Sequence, residues 1–202
     1  MPSIYQLKPA FQNLLRPLAG HLAKTGVTAN QITLTGFFLS SMLGASIWLY
    51  PQTSNLLLVM PLFQLFRMAL NAIDGMMARE FNMKTPLGAI LNELTDVLAD
   101  SALYYPFCRI FPSDNMLIAP TIILFVIAEM TGVIAVQIGA SRRYDGPFGK
   151  GDRAFIFGIL ALLTGLKINI SSAINYIFTV MIILSIITIF NRAKQALIEI
   201  QI

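Results

Sequence analysis

Asp74, Glu93, Asp96, Asp100 and Glu129 lie inside runs of apolar residues, and they make up half of the ten carboxylates in the chain. A charge at membrane depth costs at least about 2.5 kcal/mol, so such groups face a bundle interior or a water-filled cavity and are functional candidates by default. Their spacing narrows the chemistry. Gly88, Asn92, Asp96 and Asp100 are four apart. On an α-helix each such step advances about 6 Å and turns about 40°, giving one slowly winding stripe. The preceding segment carries a matching stripe of Asn71, Asp74, Gly75 and Ala78, with Arg79 at its end. Two helices with these stripes face to face offer oxygens to one cavity, with small residues beside them and a cation above. That arrangement suits a hard divalent cation holding a diphosphate, and the small residues leave room for a flat nucleotide ring. Two other readings compete: an ion-transport site, and simple pairing of the acids with Arg67, which lies within the same apolar run as Asp74. Glu129 stands apart and is equally suited to a structural ion pair.

Composition says what environment these groups share. The chain has 202 residues, 56% of them hydrophobic and only 12% charged, with a mean hydropathy of +0.70. Soluble domains are usually about 25% charged, so this chain lacks a polar coat and is read as a polytopic membrane protein. The single cysteine, Cys108, excludes an internal disulfide framework and thiolate-rich zinc sites, and the single histidine, His21, excludes sites that need two imidazoles. Any metal is therefore held by oxygen, which favours magnesium, calcium or manganese. The net charge of +4 reads as loop charge that sets orientation. No basic run interleaved with aromatics is present, and no nucleic-acid partner is expected.

Six apolar stretches must position the acids: Gln31–Tyr50, Asn55–Arg79, Leu87–Phe111, Met116–Gly139, Ala154–Leu166 and Ala173–Asn191. Each is near the ~20 residues that cross a bilayer; the short fifth needs Arg153 and Lys167 to snorkel at its ends. The turns between them are short, so neighbouring helices are expected to run antiparallel. Residues 1–30 form a separate segment. Ile4, Leu7, Phe11, Leu14, Leu15, Leu18 and Leu22 recur at three or four residues, with Lys8, Gln12, Arg16 and Lys24 opposite. The pattern predicts an amphipathic helix in the membrane interface, bent at Pro9 and Pro17, or one that covers the bundle. It lacks the continuous apolar core of a signal peptide. The fold expected is thus all-α, with six transmembrane helices in 31–202 and an interfacial helix in 1–30. Eleven of the fourteen Lys and Arg residues fall on one side of these spans, which places both termini in the cytoplasm.

The run Asn71-x2-Asp74-Gly75-x2-Ala78-Arg79-x8-Gly88-x3-Asn92-x3-Asp96 resembles the signature of the CDP-alcohol phosphotransferases, D-x2-D-G-x2-A-R-x8-G-x3-D-x3-D, with every spacing matched. Gly26 to Thr33 resembles the family's entry into its first membrane helix, and Gly149-Lys150-Gly151-Asp152-Arg153 its basic loop. The resemblance implies a six-helix fold with an interfacial helix, a homodimer and a bacterial inner-membrane location. It also implies a reaction of phospholipid biosynthesis: a CDP-linked lipid donor passes its substituted phosphoryl, commonly phosphatidyl, group to a small alcohol and CMP is released. The family's first three acidic positions bind Mg2+ or Mn2+ and the fourth is the base.

Carried onto this chain, the resemblance makes Asp96 the base and Asp74, Asn71, Asn92 and Asp96 the metal site, with Glu93 and Asp100 as possible compensation. Gly75, Ala78, Arg79 and Gly88 would cradle the nucleotide. Arg142, Lys150 and Arg153 would bind acceptor or lipid phosphate. The chain departs from the pattern at Asn71 and Asn92, where the family has aspartate, so two negative charges are missing. That departure motivates a second class of function, a catalytically impaired lipid- or nucleotide-binding protein. The buried acids motivate a third, a small ion-coupled transporter.

Overall fold

The computed structural model describes residues 4–112 and 115–200. Among them the chain is helical, with no strand: α1 Ile4–Lys24, α2 Ala29–Leu49, α3 Ser54–Glu80, α4 Pro86–Tyr104, α5 Phe107–Ile110, α6 Asn115–Ile134, α7 Lys150–Gly165 and α8 Ser171–Ile200, with a 3-10 turn at Ala135–Ile138. The starts of the helices follow from local chemistry. At α2, the Thr28 hydroxyl accepts the Gln31 N–H while the Gln31 side chain accepts the Thr28 N–H, a reciprocal cap of two otherwise unpaired donors. At α4, Thr85 accepts the Gly88 N–H at 2.9 Å and Pro86 follows it, where a missing N–H costs nothing. At α7, the Asp152 carboxylate accepts the Gly149 N–H at 2.8 Å, so Lys150 and Arg153 are helical residues of the first turn rather than loop residues.

Among the described residues, four helical stretches are long and apolar enough to cross a membrane: Ala29–Leu49, Ser54–Glu80, Met116–Ile138 and Ser171–Ile200. The sequence expectation was six. The third expected span breaks after Tyr104, because Pro106 supplies no N–H to continue the ladder, and α4 is left with 19 residues that include Glu93, Asp96 and Asp100. α7 has only 16 residues. α8, by contrast, runs 30 residues, about 45 Å, well beyond the 173–191 expected.

The described residues form two compact units. The first takes residues up to Met42 together with Leu62–Asp100, and the second takes Leu43–Pro61 with Ser101 onward. In the first unit Ala19, Ala29, Ile32, Leu70, Ile73, Met76 and Met77 form the core, and Leu15 and Leu22 of α1 pack onto it. α1 therefore covers this unit, continuing through both prolines as one helix, while Leu14 and Leu18 on its other side stay exposed. The side chains of Ile4, Leu7 and Lys8, part of the amphipathic pattern, lie outside the described residues. Arg16 adds a two-pronged ion pair to Glu80 at the end of α3; at this exposure solvent screens it and it adds little to stability.

The second unit is held by aromatic rings. Phe157 stacks on Tyr104 with centroids 4.0 Å apart and meets Phe107, Phe125 and Phe178 edge-on. Backbones approach closely where glycine permits: a Cβ on Gly44 would lie 2.1 Å from the Ala102 carbonyl oxygen. Because the obstacle is backbone rather than a movable side chain, Gly44→Ala is expected to lower stability by about 1–3 kcal/mol, read as a fall in melting temperature in detergent. An unchanged midpoint would contradict this packing.

Candidate functional site

The two stripes read from the sequence do meet. In the first unit, Asn71 of α3 donates its side-chain N–H to Asp96 Oδ1 of α4 at 3.0 Å. One turn along, Arg67 pairs with Asp100 through a short contact. Both pairs obey one antiparallel register. Arg67 also donates from Nη2 to the Asp96 carbonyl at 3.1 Å and lies 3.5 Å from its carboxylate. Asp96 thus receives a guanidinium and an amide on the same oxygen.

Asp74 is 4% exposed and accepts a hydrogen bond from Thr33 of α2 at 2.7 Å. It points into protein, one turn from Asn71 on the same face of α3. Thr33 is placed there by the α2 cap, five residues upstream. The small residues act in specific ways. A Cβ on Gly75 would lie 3.3 Å from Arg79 Nη2, so the absent side chain lets the Arg79 guanidinium lie along the helix. A Cβ on Gly88 would meet Asn30 Oδ1 at 2.6 Å and Thr85 Oγ1 at 2.9 Å; the space beside Gly88 is shared with Asn30. Ala78 packs against the core of this unit. Asn92 is exposed and Glu93 half-buried.

The sequence reasoning missed Thr33 and Asn30 as site neighbours. Both fall in the Gly26–Thr33 stretch it had singled out, but nothing local says that a threonine 41 residues away will cap Asp74. It left Arg67 as an alternative partner of the acids, and the structure puts it there. Asp100 is consequently answered by Arg67 rather than standing as a spare metal ligand.

Among the described residues no three His, Cys, Asp or Glu side chains converge as a metal cage; two of the four signature positions are amides. The donor set still fits a hard cation. Asp74 and Asp96 end in carboxylate oxygens, and Asn71 keeps its carbonyl while its N–H is turned to Asp96. A divalent cation that shares its shell with diphosphate needs few protein ligands.

The basic residues form a different cluster, in the second unit. Glu129 Oε1 accepts from Arg153 at 3.0 Å and lies 3.2 Å from Arg192, and Oε2 accepts from Arg142 at 3.1 Å. Arg153 is 1% exposed and Arg192 2%. Arg153 further donates to the Phe125 and Phe148 carbonyls and lies over the Phe125 ring at 4.7 Å. Arg153, expected to meet a phosphate, is thus buried with its guanidinium on Glu129, and Glu129 takes the structural role of the two open to it. In the loop before α7, two hydrogen bonds from Arg143 hold the Asp145 carboxyl below its ordinary range.

The family model for CDP-alcohol phosphatidyltransferase matches residues 26–190. The chain belongs to the CDP-alcohol phosphatidyltransferase family. A relative in Escherichia coli, inner membrane protein YnbA, is 43% identical over 195 residues, covering 96% of each chain. A phosphatidylinositol phosphate synthase of Corynebacterium glutamicum is 28% identical, with 97% of this chain and 89% of that one covered. The fold matches a crystal structure of Mycobacterium tuberculosis phosphatidylinositol phosphate synthase in complex with manganese and citrate, at a TM-score of 0.71 and 20% identity over 89% of this chain and 87% of that one. A second structure of that enzyme, with CDP-DAG bound, matches at a TM-score of 0.66 and 19% identity, with 91% and 92% covered. As a family member the chain is a membrane-bound transferase of phospholipid biosynthesis. It moves a substituted phosphoryl group from a CDP-linked donor to an alcohol and releases CMP. The match favours this activity over a binding-only protein or a transporter.

Burial of the Glu129 cluster has a measurable consequence. Glu129→Gln leaves two buried guanidiniums without a counter-charge, and breaking such a pair costs about 3–5 kcal/mol. The variant is expected to unfold at markedly lower temperature in detergent, whereas Arg142→Gln, at the partly exposed edge, changes the midpoint less. Equal, small shifts would show that the cluster is not the internal clamp described.

Proposed function

We propose that the α3–α4 site is the catalytic centre of this transferase, with phosphatidyl transfer from CDP-diacylglycerol to a small alcohol as its reaction. The observation that carries the reading is the Asn71–Asp96 hydrogen bond, which brings two positions of the signature on different helices to one place. Asp74, Asp96 and Asn71, with Asn92 or Glu93, would hold Mg2+ or Mn2+ on the donor diphosphate. When bound, the cation supplies Lewis-acid stabilisation of the charge that collects on departing CMP. Asp96 takes the proton of the acceptor hydroxyl. The freed oxygen attacks the lipid-side phosphorus, the bond to CMP breaks, and the new phosphodiester stays in the membrane. Gly75, Ala78, Arg79 and Gly88 cradle the cytidine nucleotide. Lys150 and Arg142, with Arg153 behind them, are the candidates for acceptor or lipid phosphate.

The chain-level reading follows the same family. Residues 31–202 form the catalytic domain, with α4 and α7 crossing the membrane beside the four apolar stretches, since the acids of α4 are answered within the protein. α1 lies in the interface with Leu14 and Leu18 towards lipid, both termini are cytoplasmic, and the protein works as a homodimer.

Purified protein given Mg2+ or Mn2+, CDP-diacylglycerol and a panel of alcohols is expected to release CMP with at least one of them. Asp96→Asn should reduce that rate by about 10²–10⁴-fold, the range for loss of a general base. Absence of CMP release across a broad panel, or full activity in Asp96→Asn, would overturn the proposal.

A further inference from the structure

Arg67 is a cationic group at this site that the signature does not include. It is 5% exposed and sits one turn before Asn71 on α3. Its guanidinium is spent on α4: the Asp100 carboxylate on one side, the Asp96 carbonyl and carboxylate on the other. Asn71 adds a second N–H to the same Asp96 oxygen. Donor hydrogens therefore converge on Asp96 Oδ1, and a cation cannot share that position with them, because N–H dipoles and a metal ion both present positive charge to the oxygen. The site thus holds a permanent cation on the side of Asp96 that faces Asp100, and two amides where the signature has carboxylates.

We infer that Arg67 is a positioning residue that acts as a built-in cation. It fixes Asp96 from the Asp100 side and limits the site to one divalent cation per chain. The inference rests on the transferase reading for its kinetic consequence but not for its metal count. Its physical basis is that a guanidinium offers a rigid fork of donors that can hold a backbone carbonyl and two carboxylates at once, and that a charge so buried persists only while those acids answer it. It also accounts for the tolerance of Asn71 and Asn92: with one cation to hold, fewer carboxylates are needed.

The test counts metal directly. Mn2+ is titrated into the purified, detergent-solubilised protein with CDP present, and free Mn2+ is read by electron paramagnetic resonance. The unmodified protein is expected to bind one Mn2+ per chain. Arg67→Met, which bares Asp96 and Asp100, should bind a second, and its kcat for CMP release should fall at least about tenfold with KM for the CDP-linked donor little changed. Arg67→Lys should keep one Mn2+ and recover part of kcat. Two Mn2+ per unmodified chain would overturn the inference, as would an Arg67→Met protein with unchanged stoichiometry and unchanged kcat. Should Arg67→Met fail to fold, the count on the unmodified chain decides alone. Because that count needs no turnover, a protein that binds one Mn2+ yet releases no CMP would tell against the transferase reading and not against the role of Arg67.

Discussion

An ionised side chain within an apolar helix persists only where another part of the protein answers its charge, and both units of this chain are organised by that condition. In the first, Arg67 of α3 answers Asp100 and Asp96 of α4. In the second, Glu129 of α6 answers Arg142, Arg153 and Arg192. Removing such charges from water costs several kcal/mol each, and the cost is offset only when every lone pair and proton finds a partner. These pairs therefore fix which faces of α3 and α4 meet, and which of α6, α7 and α8.

The two clusters solve the same problem with opposite surpluses. Around Glu129 one carboxylate serves three guanidiniums, and backbone carbonyls of Phe125, Ala128, Asp145 and Phe148 accept further donors of Arg153 and Arg192. That cluster clamps α6 to α7 and α8. Around Arg67 the surplus is negative: one guanidinium faces two carboxylates, and Asp74 stands a turn beyond Asn71 with a threonine hydroxyl as its described partner. A negative surplus beside small residues suits a cation and a diphosphate, whereas the Glu129 cluster is a structural clamp.

Much of the site was legible in the residues because helical periodicity is rigid. Four-residue spacing keeps Asn92, Asp96 and Asp100 on one stripe whatever surrounds them, and the caps at Thr28 and Thr85 can be read from Thr-x-x-Gln and Thr-Pro. Against the six spans expected, four helices among the described residues qualify on length and composition, for a reason also visible in the chain: the acids of α4 remove it from the apolar class. The pairing of Arg153 was not legible, since a basic residue near a loop looks the same whether it faces water or turns inward to a glutamate 24 residues earlier.

By itself the sequence determined that the chain is helical and membrane-bound, which residues share a helix face, and which family's spacing it carries, because each depends on composition or on local geometry within one helix. Only the tertiary structure decided that Thr33 caps Asp74, that Arg67 rather than a metal answers Asp100, and that Glu129 belongs to the arginines. Those are pairings between helices. Several acids and several bases could have been matched in more than one way, and the match is selected by the packing of whole helix faces, to which no single residue is a guide.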